Sequence, residues 1–133
     1  MYRVTKQFHF AMGHRLPKHK GACKNIHGHN YLLEVCVESE TLDENGMVID
    51  FKDLKEIVNE KVISELDHAL MLKDTDLTET SSFKEVRVPF EPTAENMAKF
   101  IFDEIEPLLP ENVNLHSVTI FETVGSFATY SKT

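Results

Sequence analysis

The chain has 133 residues, of which 41% are hydrophobic and 27% charged, values typical of a single globular domain. It contains no apolar run near the roughly 20 residues needed to cross a membrane, and its N-terminal sequence MYRVTKQFHF lacks the apolar core of a signal peptide. The net charge of −8 argues against nucleic acid as a main partner. We therefore predict one cytoplasmic domain over residues 1–133, with neither a membrane nor nucleic acid as its partner.

Basic residues are concentrated at the N-terminal end of the chain. The first 33 residues carry six lysines and arginines and no acidic residue, whereas the remaining 100 carry eight basic and 22 acidic residues. A solvated basic face would explain this block by itself. The block also holds Cys23 and five of the seven histidines, and a positive field around reactive groups would suit an anionic substrate, including a phosphate compound.

Two strands are predicted within the first forty residues, at 2–10 and 29–40, because apolar residues there alternate with others. Between them, residues 11–28 contain three glycines and one proline and are predicted to form a long loop. Residues 51–66 have apolar residues at helical spacing, which predicts an amphipathic helix with Asp50 as its N-cap.

The second half of the chain is predicted to hold one more helix and two more strands. Its elements are an irregular segment at 74–91 with an extended piece at 84–90, a helix opening at Thr93 and ending at Pro107 or Pro110, and strands at 113–122 and 126–131. The order of elements predicts an α+β domain with a four-stranded antiparallel sheet and two helices between strands two and three. Pairing between subunits would cover the two exposed edges of such a sheet.

Three histidines are spaced to bind one metal ion. His27 and His29 are two residues apart, so their imidazoles project to the same side of a strand, and Gly28 between them leaves the backbone room to bend. His14 lies just beyond the first predicted strand, and strand pairing would bring it toward the other two. Three histidine ligands leave one coordination position open, which is the catalytic zinc pattern, although copper, nickel and iron also accept imidazole. We predict a site formed by His14, His27 and His29, with Zn²⁺ as the metal.

The chain has two cysteines, Cys23 and Cys36. Cys36 lies in the apolar run YLLEVCV and is interpreted as a packed residue. Cys23 lies in a polar segment beside Lys20 and Lys24, and nearby cations favour the reactive thiolate. A disulfide between the two cysteines is the alternative, and the predicted compartment argues against it.

Asp67 and His68 stand at the end of the first predicted helix. Adjacent residues do not face each other on a helix, but where the chain turns at a helix end a carboxylate can orient an imidazole. Together with Cys23 they would form a cysteine–histidine–aspartate relay for proton transfer. The alternative is a histidine that simply stabilises a helix C-terminus.

Glu122, Thr93 and Glu95 are candidates for binding a substrate. Glu122 shares the strand parity of Val118 and Ile120, and a carboxylate on an apolar face needs hydrogen-bond donors. The amino-pyrimidinone edge of a pterin or guanine offers two N–H groups, whereas an exposed glutamate at a strand end is the alternative. Thr93 and Glu95 are fully explained as an N-cap and a first-turn acid.

Taken together, these motifs resemble the 6-pyruvoyltetrahydropterin synthase family, and specifically its queuosine-pathway branch, the 6-carboxytetrahydropterin synthases. The resemblance covers nearly the whole chain. The matching segments are FHFAMGHRL (8–16), CKNIHGHNY (23–31), GMVIDFKDLK (46–55), LDHALML (66–72), PTAENMA (92–98) and FETVGS (121–126).

The resemblance implies a fold, an assembly and a role for each candidate residue. The implied roles are zinc ligand for His14, His27 and His29, catalytic cysteine for Cys23, relay pair for Asp67 and His68, pterin anchor for Glu122, and pterin-pocket residue for Thr93 and Glu95. The implied fold is the tunnelling fold, in which subunit sheets join into a barrel. The implied assembly is a homohexamer of two stacked trimers with active sites between subunits.

The implied substrate is 7,8-dihydroneopterin triphosphate, and the basic N-terminal block would suit its triphosphate. The queuosine branch would release acetaldehyde and triphosphate and leave 6-carboxy-5,6,7,8-tetrahydropterin. Three residues separate Cys23 from His27, a spacing that resembles this branch, whereas the biopterin-forming enzymes have a longer spacing of five. A further, aldolase-like branch carries glutamate in place of the cysteine. One departure is Ala94, where many members carry a hydroxyl residue, and it puts one pterin hydrogen bond in question.

Two other functions stay open. One is the phosphate-eliminating 6-pyruvoyltetrahydropterin synthase, for which the resemblance implies the same metal, pocket and fold. The other is a zinc-dependent pterin-binding protein without turnover, against which the presence of Cys23, Asp67 and His68 argues.

Overall fold

The computed structural model describes residues 1–80 and 82–133. Within these residues the chain forms one six-stranded sheet and two helices. The strands are β1 (Tyr2–His14), β2 (His27–Ser39), β3 (Ala69–Lys73), β4 (Glu85–Val88), β5 (Asn114–Thr123) and β6 (Ser126–Tyr130). Helix α1 covers 51–66 as an α-helical segment Phe51–Val58, a π-helical segment Asn59–Ile63 and a last turn Ser64–Leu66, and helix α2 covers Ala94–Ile105. None of the described helices is long and apolar enough to cross a membrane.

The sheet is mixed, with the strand order β4-β3-β1-β2-β5-β6. Antiparallel pairing joins β1 to β2, β2 to β5 and β5 to β6, whereas β3 is parallel to both β1 and β4. The prediction of a four-stranded antiparallel sheet is therefore wrong in strand number and in strand direction. The extended piece predicted at 84–90 is present as β4, but it belongs to the sheet.

The strand β3, which the sequence does not predict, directly follows the first predicted helix, in the segment LDHALML (66–72). Its residues Ala69 to Leu72 are all buried, so they show no alternation of apolar and polar residues. A short, fully apolar run fits a buried parallel strand and a buried helix end equally well. The segment forms a strand because it pairs with β1 and β4.

Strands β1 and β2 extend into the predicted loop 11–28, which shortens the connection between them to 15–26. Two of the three glycines that predicted a loop here, Gly13 and Gly28, lie opposite each other inside the paired strands. A Cβ atom on Gly28 would lie 3.3 Å from the Met12 carbonyl oxygen, so the close approach of the paired backbone, and not a turn, favours glycine here.

Both helices begin at the predicted caps. The Asp50 side chain accepts a hydrogen bond from the Lys52 amide at 2.8 Å, and the Thr93 hydroxyl accepts one from the Asn96 amide at 3.2 Å. These bonds satisfy amide groups that have no partner inside the helix.

The core lies between the helices and one face of the sheet. On β1 and β2 this face is formed by alternate residues, and it continues beyond the apolar positions into histidines. The face carries Phe8, Phe10, Met12 and His14 on β1, and His27, His29, Tyr31, Leu33, Val35 and Val37 on β2. The histidines therefore stand at one end of the buried face.

Candidate metal centre and active site

Three imidazoles meet where β1 ends and β2 begins. The antiparallel register places His14 opposite His27 and Met12 opposite His29, so all three side chains project from the core face at the same end of the sheet. One nitrogen from each ring lies within 4.8 Å of the other two, and the ring centroids are 4.5 to 5.2 Å apart. His14 is the last residue of β1, whereas the sequence predicts it in the loop just beyond this strand.

Backbone carbonyl groups set the orientation of two of these rings. The Nδ1 of His14 lies 2.7 Å from the Pro92 carbonyl oxygen, and the Nδ1 of His27 lies 2.7 Å from the Asn25 carbonyl oxygen. A carbonyl oxygen only accepts, so each Nδ1 carries a hydrogen, and Nε2 is the nitrogen that a neutral ring leaves available to a metal. Metal-binding histidines are commonly fixed in this way.

His14 is the most buried of the three, with 2% of its side chain exposed. Burial lowers the pKa of His14, the hydrogen bond with Pro92 opposes this, and the neighbouring His27 lowers it further. The neutral imidazole that results is the form that binds metal. Its buried Nε2 has no hydrogen-bond partner in the part of the chain that the structure describes, which is costly for a polar atom unless a ligand uses its lone pair.

The carboxylate of Glu122 faces the same space from β5. Its Oε2 lies 3.3 Å from the Nε2 of His29 and 3.4 Å from the Nε2 of His14. A carboxylate oxygen next to a nitrogen lone pair is unfavourable unless a cation or a proton lies between them. The arrangement of Glu122, His14 and His29 therefore fits a bound cation.

The donor set can hold a metal ion. Three imidazole nitrogens suit zinc best, and copper, nickel or iron are compatible. The nearby carboxylate of Glu122 could add a fourth ligand to these three nitrogens.

Asp67 and His68 are in contact at the end of α1. His68 has a positive φ of 63°, and this left-handed turn brings its Nδ1 to 3.0 Å from the Asp67 Oδ1. The same oxygen accepts a hydrogen bond from the Ala11 amide at 3.0 Å, and the His68 amide donates to the Ala11 carbonyl at 2.6 Å. The bond from Ala11, followed by the contact with His68, lowers the pKa of Asp67 even though burial acts against this.

The structure places Cys23 in a short 3₁₀ turn, Ala22–Lys24, where it is partly buried. Its carbonyl accepts a hydrogen bond from the Leu16 amide at 2.7 Å. Among residues 1–80 and 82–133 no hydrogen bond joins its thiol to Asp67 or His68. Both cysteines are free, so the alternative of a Cys23–Cys36 disulfide is not realised.

Thr93 and Glu95 take the positions expected from helix capping. Thr93 is the N-cap of α2, and Glu95 is an exposed residue of its first turn. Thr93 directly follows Pro92, whose carbonyl orients His14. The capping explanation accounts for all the contacts of Thr93 described above.

Tyr31 is a residue of the site that the sequence reasoning did not single out. It is fully buried, and its hydroxyl has no hydrogen-bond partner among the residues described. Its ring stacks on Phe10 at 5.2 Å and meets the ring of His29 edge-on at 5.4 Å. Burial, with the charge of Glu122, raises the pKa of Tyr31. The signal available in the sequence was its shared strand parity with His27 and His29.

A shallow surface depression lies beside the Asp67–His68 turn. Gly13 and Gly28, which face each other across β1 and β2, line it together with His29 and His68. The two glycines alternate with the three histidines along β1 and β2, so this depression opens mainly on the sheet face opposite to the imidazoles.

Comparison with known proteins gives the relationship of the chain. Residues 3–133 match the family described as 6-pyruvoyl tetrahydropterin synthase. A 6-carboxy-5,6,7,8-tetrahydropterin synthase of Haemophilus influenzae is 35% identical over 99% of this chain and 100% of its own. A 6-pyruvoyl tetrahydrobiopterin synthase of Dictyostelium discoideum is 34% identical over 96% of this chain and 93% of its own.

The fold agrees with these relationships. The solved 6-pyruvoyl tetrahydropterin synthase of Caenorhabditis elegans superposes with a TM-score of 0.76 at 28% identity, covering 99% of this chain and 96% of that one. The tunnelling fold is thereby confirmed for the single chain, with six strands in place of the predicted four. The chain belongs to the 6-pyruvoyl tetrahydropterin synthase family.

Proposed function

We propose that this protein is a zinc-dependent carbon–carbon lyase that converts 7,8-dihydroneopterin triphosphate to 6-carboxy-5,6,7,8-tetrahydropterin, acetaldehyde and triphosphate, as a step of queuosine biosynthesis. The observation that carries the proposal is the cluster of three imidazoles with the Glu122 carboxylate 3.3 to 3.4 Å from two of them. Family membership supports the class of substrate.

His14, His27 and His29 would hold the zinc ion through their Nε2 atoms, because hydrogen bonds to carbonyl groups occupy the Nδ1 atoms of two of them. Zinc supplies Lewis acidity that polarises bound oxygen atoms and acidifies the adjacent C–H and O–H groups. The carbonyl partners keep the rings from rotating and so preserve the ligand geometry.

Glu122 would anchor the pterin. Its carboxylate accepts two N–H groups from the amino-pyrimidinone edge, which is the bidentate geometry that gives strong charged hydrogen bonds. Since Glu122 lies within 3.4 Å of two proposed ligands, a pterin bound to it is held close to the metal. Thr93 and Glu95 would line the same pocket at the start of α2.

Proton transfer is assigned to Cys23 and His68. The Asp67 carboxylate, held by the Ala11 amide, would fix the orientation of the His68 ring through its Nδ1 and leave its Nε2 free to exchange a proton. The His68 side chain is 80% exposed, which leaves its ring accessible to a substrate. Cys23 would act as a thiolate.

The carboxy branch is favoured over the pyruvoyl branch by two observations. The carboxy-forming name recurs among relatives such as those of Haemophilus influenzae and Aquifex aeolicus, at 35% and 33% identity. The spacing of three residues between Cys23 and His27 points the same way. The second candidate is the pyruvoyl synthase that eliminates triphosphate. The similarity to the Dictyostelium protein supports this candidate.

The proximity of Glu122 to the histidines also favours a contrasting candidate, a pterin-binding protein without turnover. If Glu122 became a fourth ligand, the coordination would be closed, as in structural zinc sites. Replacing Glu122 with glutamine separates the two proposals. An anchoring role predicts weaker pterin binding with unchanged zinc affinity, whereas a ligand role predicts weaker zinc affinity.

The assembly is proposed to be a homohexamer of two stacked trimers, in which the sheets of subunits join into a barrel. Support comes from the outer strands β4 and β6, each of which pairs on one side only within the chain, since open edges are commonly covered. Light scattering of the protein in solution tests the assembly, and a monomer would contradict it.

The function is tested by anaerobic incubation of the zinc-loaded protein with 7,8-dihydroneopterin triphosphate, followed by mass spectrometry of the products. Acetaldehyde together with the 6-carboxy product is the expected result. Triphosphate release with a pyruvoyl product and no acetaldehyde would assign the protein to the second candidate. Binding of the pterin without any product would assign it to the third.

A further inference from the structure

The turn that carries Asp67 and His68 is held from two sides. On one side, the backbone of Ala11 in β1 exchanges two hydrogen bonds with the turn, as described above. On the other side, the Lys84 ammonium donates to the Ser64 carbonyl at 2.7 Å and to the Asp67 carbonyl at 3.0 Å. The contacts of Lys84 therefore fall on the last turn of α1 and on the residue that contacts His68.

Lys84 donates hydrogen bonds to carbonyl groups at the end of α1, a helix that has no conventional C-cap. The last carbonyl groups of a helix lack partners within it, and a cation there is favoured by both hydrogen bonding and the helix dipole. Here the residue after the last helical turn, Asp67, is already extended, with φ −64° and ψ 125°. The next residue, His68, is in the left-handed region and is not glycine.

A left-handed backbone at a residue other than glycine costs energy and persists only where its surroundings hold it. The backbone of Lys84 contributes to this as well, since its carbonyl accepts a hydrogen bond from the Leu70 amide at 2.8 Å. Lys84 thus links the end of α1 to the first residues of β3 with its side chain and its backbone together.

We propose that Lys84 is a positioning residue for the Asp67–His68 pair. Its ammonium fixes the Asp67 carbonyl, this sets the left-handed turn at His68, and the turn brings the imidazole Nδ1 to the Asp67 carboxylate. Lys84 acts through the pair and touches neither substrate nor metal. The assignment rests on the proposed proton-transfer function of His68.

The test compares three variants. Lys84→Met keeps the length of the side chain and removes its donors, and Lys84→Arg keeps a cation with several N–H groups. Lys61→Met is the matched control. Lys61 is an exposed lysine on α1, the helix whose end Lys84 contacts, and its ion pair with Glu104 at 3.3 Å lies away from the turn. Each variant is assayed for kcat, KM and zinc content, and for amide hydrogen exchange of residues 64–72.

In Lys84→Met we expect the amide hydrogens of His68 and Leu70 to exchange about tenfold faster. We also expect kcat to fall about tenfold. These are the losses expected when hydrogen bonds from a charged donor are removed. KM and zinc content should stay within about twofold of the parent protein, since the pair does not bind either group in its ground state. Lys84→Arg should recover most of both losses, and Lys61→Met should change neither.

Unchanged exchange and unchanged kcat in Lys84→Met would overturn the proposal. Faster exchange with an unchanged kcat would also overturn it, because Lys84 would then be only a structural helix cap. The exchange experiment does not depend on turnover. If the parent protein has no lyase activity but Lys84→Met exchanges faster, the proposed function is contradicted. The stabilisation of the turn by Lys84 is then still demonstrated.

Discussion

The histidine cluster and the Asp67–His68 turn differ in how the backbone holds them. The cluster stands on two strands that pair over 13 residues each, and two of its rings are fixed by carbonyl groups. The turn belongs to a segment, 67–88, that contains β3, a loop and β4, and its position depends on a few hydrogen bonds to Ala11 and Lys84.

With the proposed function, this difference would combine a rigid metal site and an adjustable proton-transfer group in one small domain. Ligand atoms must keep their distances within a few tenths of an ångström, and paired strands provide this. A proton-transfer residue has to reach a substrate that changes shape during the reaction, and a turn held by separate contacts allows small adjustments. The following predictions test the two regions in order of decreasing effect.

The largest effect is expected at the cluster. His27→Ala removes one of the three proposed ligands from a site whose remaining groups are preformed, so zinc affinity should fall by more than about a hundredfold. Metal analysis after dialysis should then find almost no zinc, while circular dichroism should be unchanged because His27 lies at the start of β2. Unchanged zinc stoichiometry would remove His27 from the ligand set.

A large but more selective effect is expected for the proton-transfer group. Cys23→Ala should lower turnover by about 10² to 10⁴, the usual contribution of a positioned acid or base. Zinc content and pterin affinity should be retained, because among residues 1–80 and 82–133 no hydrogen bond joins Cys23 to the proposed ligands or anchors. Full activity of this variant in the acetaldehyde assay would rule out the proposed mechanism, and Cys36→Ala serves as the control.

A smaller effect, on stability, is expected in the segment 67–88. The Asp76 side chain is 3% exposed, accepts hydrogen bonds from the Thr78 hydroxyl and amide at 2.6 and 2.9 Å, and lies 3.4 Å from the Arg15 Nε. Burial raises the pKa of Asp76, but these hydrogen bonds and the charges of Arg15 and Arg87 outweigh it and lower the pKa overall.

A carboxylate with a lowered pKa stabilises the fold above its unfolded pKa of about 3.9, and this contribution is lost as the pH falls through the lower folded value. Asp76→Asn should therefore reduce the free energy of unfolding by about 2 kcal/mol at pH 7. In denaturant titrations the difference between variant and parent should shrink toward pH 3 and below. A difference independent of pH would show that the carboxylate charge is not the cause.

The smallest effect concerns the buried hydroxyl of Tyr31. Since this hydroxyl has no partner in the described part of the chain, Tyr31→Phe removes an unsatisfied polar group and should raise the free energy of unfolding by about 1 kcal/mol. Thermal unfolding of the metal-free protein measures this change. A loss of stability would mean that the hydroxyl is hydrogen-bonded in solution, with Glu122 as the nearest charged candidate.

Much of the candidate site could be predicted because it follows from local rules. The parity of His27 and His29 places both on one face of any strand, and the caps Asp50 and Thr93 are short-range hydrogen bonds. What failed depended on contacts between distant residues. The stretch Ala69–Lys73 is a strand because β1 and β4 pair with it, and its own apolar residues do not distinguish a strand from a helix end.

The sequence by itself determined which side chains could carry the chemistry, because residue type and strand parity are local properties. Only the tertiary structure decided how those side chains are held. Pro92 is 78 residues from the histidine it orients, and Glu122 reaches the cluster through the pairing of β5 with β2. The left-handed turn at His68 exists because Ala11 and Lys84 hold it, and contacts between such distant positions leave no periodic trace in the chain.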